Sequence, residues 1–144
     1  MIGRTAAVDV GRRRIGLAVC DALGITVRGL DTVEAKATPV DTVTAVAAVL
    51  REEGVERVVV GLPLHADGRE SESSADARKF GHALALALAR PVVFHDEGLT
   101  SWEAEEGLKA AGKRLKDARR SGEVDRRAAI AILRSWLQSC PSGS

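Results

Sequence analysis

Aromatic side chains are scarce in this sequence: two tryptophans, two phenylalanines and no tyrosine make up 3% of 144 residues. Trp102, Trp136, Phe80 and Phe94 are too few and too scattered to stack successive bases, which excludes the usual single-strand binding platform. Trp136 and Phe94 read as core. Cysteine is just as sparse. Cys20 and Cys140 stand far apart with no CxxC or Cys/His cluster, so a disulfide framework and a structural zinc site are both excluded. They read as reduced thiols. His65, His82 and His95 lack zinc-ligand spacing, and no serine or cysteine is visibly matched to a base, so hydrolase triads have no support. No apolar run approaches the roughly 20 residues that span a membrane. The N-terminus lacks a secretory apolar region and cleavage site, so the expected compartment is cytoplasmic. Charge of one sign is lacking too: 21 basic and 20 acidic residues leave a net +1, so any basic surface must be local.

What the chain does have is 45% hydrophobic side chains, enough for one core. A single domain over 1–139 is expected, with a frayed tail at 140–144. RTAAVDV (4–10) and RIGLAVC (14–20) read as strands joined by a tight turn at Gly11, Arg12 and Arg13. VRGLDTV (27–33) reads as a third strand. Pro39 opens a helix over 40–53 whose Val43, Val46, Ala47 and Leu50 share one face, and Gly54 ends it. RVVVG (57–61) is an apolar strand of the kind covered on both faces. A polar loop over 65–74, a helix over 73–89, a strand ending at Glu97, a helix from about Ser101 and a last helix over 123–138 follow. The order β-β-β-α-β-α-β-α-α predicts an α/β fold. Its five-stranded mixed sheet is an antiparallel meander followed by parallel crossovers, flanked by helices.

Three carboxylate positions stand out. Asp9 lies inside an apolar strand, between Val8 and Val10, where an unpaired charge costs several kcal/mol. It needs a cation: Arg12, Arg13 or Arg14 through a salt bridge, or a metal. Asp96 and Glu97 end a strand, where ligand sites of open α/β sheets gather; alternatively one of them caps the next helix. Strand alternation allows at most one of the two to share Asp9's face without a local bend. Asp125 begins an apolar helical stripe that continues through Ile132 and Trp136 at i+7 and i+11. It is either an acid favoured by the helix dipole or a ligand facing the sheet. Three acids on separate elements form a natural site for Mg²⁺ or Mn²⁺, which take hard oxygen ligands and keep positions open for phosphate and water.

AVDVGRRRIGLAVCD (7–21), VVVGLPLHADG (58–68), FHDEGLTSWEA (94–104) and VDRRAAIAILRSWL (124–137) resemble, in order, the motifs of the YqgF/RuvX family. These are bacterial RNase H-like nucleases, described as Holliday junction resolvases and as pre-16S rRNA processing nucleases. The resemblance covers almost the whole chain. It implies an RNase H-like fold and metal-dependent phosphodiester hydrolysis, with Asp9, Glu97 and Asp125 as catalytic and metal-binding acids and Asp96 as an assisting neighbour. The chain departs from the family pattern at Gly98, where an arginine is usual, at Ser101, where threonine is usual, and at His65, where asparagine is common. Loss of the arginine removes a phosphate contact and keeps a second reading open, a noncatalytic RNA-binding or transcription-associated module on the same fold.

A nucleic-acid partner, either an RNA precursor or branched DNA, needs a basic landing surface. Arg12, Arg13 and Arg14 adjoin Asp9, while Lys109, Lys113, Arg114, Lys116, Arg119, Arg120, Arg126 and Arg127 crowd 109–127. The competing reading of that segment is a solvated charged helix. GLKAAGKR (107–114) imitates part of a nucleotide phosphate loop, but Arg114 replaces the Ser or Thr that reaches Mg²⁺, and no strand precedes it. The strand-Asp-x-Gly opening also resembles the first phosphate motif of actin-like ATPases and sugar kinases, whose second lobe does not fit into 144 residues. Junction resolution favours a homodimer with two cutting sites and RNA trimming does not, so monomer and homodimer both stay open.

Overall fold

The run Thr5–Val10, buried on both faces from Thr5 to Val8, forms the first strand, β1, which pairs antiparallel with β2 (Arg14–Cys20). The Gly11 N–H closes the turn between them by donating to the Arg14 carbonyl at 3.1 Å. This is a computed structural model, and it describes residues 3–63, 72–96 and 123–140. The strand expected over 27–33 is split into β3 (Val27–Gly29) and β4 (Val33–Glu34), both antiparallel to β2. Ala18 faces Gly29 whereas Ile15 faces Val33, so the edge strand gains one residue relative to β2, as at a β-bulge. Leu30, inside the break, is buried in the core. Among the described residues the sheet therefore has six strands where the sequence predicts five.

The first helix, α1 (Pro39–Glu52), starts where Thr38 caps it, its hydroxyl accepting from the Asp41 N–H at 3.1 Å, with Pro39 in the first turn. Val43, Val46, Ala47 and Leu50 are buried, as their spacing predicts. Gly54 ends the helix in the left-handed region (φ 71°), where its N–H donates to the Arg51 carbonyl. β5 (Arg57–Leu62) then runs parallel to β1. α2 (Glu72–Leu88) begins inside the stretch read as loop, and β6 (Val92–Asp96) lies parallel to β5. α3 (Glu123–Ser139) is the last described element. The helix expected from Ser101 and the tail beyond 140 lie outside the described residues.

Strand order is β3-β2-β1-β5-β6, with β4 also on β2. Its two faces differ in side-chain size. Val8, Ile15, Leu17, Val19, Val58, Val60 and Leu62 pack against α1 and α2. The opposite face offers Ala7, Ala18, Cys20 and Val59 to Ala129, Ile132 and Leu133 of α3. Each fully buried Leu, Ile or Val contributes about 1.5–3 kcal/mol. Small residues on the second face let α3 lie close to the sheet, and that closeness positions the acids.

Candidate metal centre and nucleic-acid interface

Asp9 follows Ala7 by two residues in β1, so it projects to the α3 face. Its cross-strand partner is Gly16 of β2. A Cβ at Gly16 would collide with the Asp125 carbonyl oxygen and lie 2.6 Å from its carbonyl carbon. The backbone of α3's first turn thus occupies the space that a side chain opposite Asp9 would fill. At Gly11, which follows β1, a Cβ would stand 3.5 Å from Asp125 Oδ1. Two acids separated by 116 positions in the chain meet at the carboxyl end of β1, where α/β sheets hold their ligands.

The electrostatics record the meeting. Burial, reinforced by the negative charge of Asp125, pushes the Asp9 carboxyl from 3.8 up to about 7. Burial also raises Asp125, partly offset by the Arg14 guanidinium and by its own backbone N–H. That N–H contribution is the one expected of an acid in a first helical turn. Of the three arginines beside Asp9 in sequence, Arg14 acts on Asp125, while Arg12 and Arg13 are exposed on the β1–β2 turn.

The remaining predicted site residues fall in two groups. Asp96 ends β6 in register with Leu62, which packs toward α1 and α2, so Asp96 lies on the face opposite Asp9. Glu97, Lys113, Arg114, Lys116, Arg119 and Arg120 lie outside the described residues, as do Gly98 and His65. Among the described residues no group of three His, Cys, Asp or Glu gathers as a metal site, and no helix is long and apolar enough to cross a membrane. His95 is a half-buried strand residue on the α3 face, its Nε2 paired with Ser135 Oγ of α3 at 2.8 Å. Phe94 packs at the margin of one core cluster. Trp136 packs at the margin of the other, with the Arg57 guanidinium 5.5 Å from its ring centre.

Sequence reasoning missed Gly16 and Gly29 as seats for α3. A glycine inside an otherwise apolar strand signals close backbone approach, and both glycines carried that signal. It also counted Arg126 with the landing surface. The structure instead lays the Arg126 stem on Gly29 and its guanidinium on Leu30 and Asp31.

The mixed sheet with helices on both faces is an RNase H-like fold, shared with a solved resolvase. Thermus thermophilus RuvC, solved in complex with a Holliday junction substrate, matches at TM-score 0.57 and 20% identity, over 94% of each chain. The family follows from sequence: the RuvX model, described as Holliday junction resolvase, matches residues 3–139, and the chain belongs to that family. An Anaeromyxobacter sp. (strain K) protein is 46% identical over 134 residues, 93% of this chain and 96% of its own length. A Synechococcus sp. protein is 45% identical over 130 residues, 90% of this chain and 85% of its own. Both are named "Putative pre-16S rRNA nuclease".

Proposed function

We propose that this chain is a divalent-metal-dependent nuclease that hydrolyses phosphodiester bonds in a structured RNA precursor. The observation that carries the reading is the pairing of Asp9 and Asp125 on one face of the sheet, each raised by burial and Asp9 further by its partner. Two like charges held together in a half-buried site destabilise the protein unless a cation neutralises them. Their oxygens are the hard donors that suit Mg²⁺ or Mn²⁺. The donor chemistry therefore fits the ion that the family resemblance implies, with Glu97 as the third acid. The relatives' names favour RNA over a DNA junction.

A bound divalent ion supplies Lewis-acid charge beside the scissile phosphate and lowers the pKa of an attacking water. The chain's own residues do the rest. Asp9, fixed by its place in the sheet, sets the centre of the site. Asp125, carried on α3, closes it from above. Asp9 must shed its proton to act as a ligand, and burial holds that proton up to about 7 in the metal-free protein, so the affinity for Mg²⁺ or Mn²⁺ should rise with pH across the range below that value. Arg12 and Arg13, exposed on the adjoining turn, receive the phosphate backbone; Lys113, Arg114, Lys116, Arg119 and Arg120, outside the described residues, are the further basic candidates that the sequence offers for that contact.

The test is cleavage of end-labelled precursor RNA, duplex RNA and a four-way DNA junction, with Mg²⁺, Mn²⁺ or chelator, beside Asp9→Asn. Metal-dependent RNA cleavage absent from the variant is the expected result. Preferred cutting of the junction would reassign the substrate. Binding without cutting, unchanged by the substitution, would replace the nuclease with a noncatalytic RNA-binding module.

A further inference from the structure

Three features converge on one residue, Arg126, that the proposed metal site does not itself use. First, a Cβ at Gly29 would collide with Arg126 Cγ and approach Cδ to 2.7 Å, so this edge position is bare where the Arg126 stem crosses it. Second, the register of the edge strand breaks directly after Gly29, and at the break the Leu30 carbonyl accepts from Arg126 Nε at 3.1 Å. Third, a terminal nitrogen of the same guanidinium reaches Asp31 Oδ1 at 3.3 Å. The neighbouring residue in the helix is Asp125, whose backbone sits on Gly16.

The apolar contacts of Ala129, Ile132 and Leu133 hold α3 against the sheet, but such contacts are non-directional and tolerate a shift of the helix. Hydrogen bonds from a planar guanidinium are directional. Those of Arg126 tie the first turn of α3 to the β3–β4 edge, one residue from the acid.

We propose that Arg126 is a positioning residue: seated on Gly29 and bonded to Leu30 and Asp31, it holds Asp125 at its place opposite Asp9. The role rests on the nuclease reading above, because the spacing of two acids matters only if they share a ligand. It differs from the role that sequence composition suggests, in which Arg126 is one more phosphate contact.

The two roles separate in measurement. Arg126→Met keeps the stem and deletes the hydrogen bonds. Expected results are Mn²⁺ binding weakened about tenfold, measured by electron paramagnetic resonance without nucleic acid. The variant should show a lower kcat, with KM for RNA and its salt dependence unchanged. Gly29→Ala displaces the arginine stem without removing it and should reproduce the Mn²⁺ defect. Unaltered Mn²⁺ affinity with a raised KM and a salt slope shallower by about one would make Arg126 a phosphate contact and overturn the proposal. Should Arg126→Met not fold, wild-type Mn²⁺ affinity in Gly29→Ala overturns it by itself. Asp9→Asn serves as the reference. If it binds Mn²⁺ like the wild type, the metal reading falls and the proposal with it. If it loses Mn²⁺ while Arg126→Met does not, only the proposal falls.

Discussion

Asp9→Asn should make the metal-free protein more stable at alkaline pH while making it inactive. The folded carboxyl is raised from 3.8 to about 7, so between those values the folded chain keeps a proton that the unfolded chain has released. Stability then falls as pH rises through this window, and stays at its lower level above it. At 1.36 kcal/mol per pH unit, the full rise corresponds to about 4 kcal/mol, of which about 3 kcal/mol falls between pH 5 and pH 8. Asparagine, nearly the same shape and uncharged, carries no such dependence. Thermal unfolding in chelator should therefore show the variant gaining on the wild type by about 10 °C from pH 5 to pH 8. Added Mg²⁺ or Mn²⁺ at pH 8 should reverse part of that difference, since an ion bound only to the folded wild type stabilises it by mass action. A variant no more stable than the wild type at pH 8 in chelator would refute the reasoning. So would a stability difference that does not change with pH.

Other substitutions probe the supports of the site. Gly16→Ala places a methyl group against the Asp125 backbone, which cannot swing away as a side chain would. It should cost about 1–3 kcal/mol in denaturant unfolding and weaken Mn²⁺ binding. Arg12→Ala, on the exposed turn, should leave the melting temperature unchanged, weaken RNA binding and reduce its salt slope by about one in filter-binding titrations. Thr38→Ala removes the cap of α1, which packs on the face of the sheet opposite Asp9, and should lower stability by about 1 kcal/mol while cleavage at saturating substrate is retained.

Most of the elements, and the chemistry they carry, are legible in local patterns of the sequence. Runs of strand-forming apolar residues specified the strands, and period 3.6 specified Val43, Val46, Ala47 and Leu50 as a buried helical face, because both patterns are local properties of the chain. The expense of a carboxylate among valines marked Asp9, and a helical stripe marked Asp125. Both signals come from residues within a few turns or strand positions. Tertiary structure alone decided which acids meet. It brought Asp125 onto Gly16 opposite Asp9 and sent Asp96 to the other face. It also broke the third strand after Gly29 and turned Arg126 from the basic segment onto the Leu30 carbonyl. The meetings of Asp125 with Gly16 and of Arg126 with Leu30 depend on contacts between positions roughly a hundred residues apart, such as the 96 that separate Leu30 from Arg126. No local period encodes a contact of that span. What the sequence carried was only the permission for it, two glycines where a strand would otherwise place side chains.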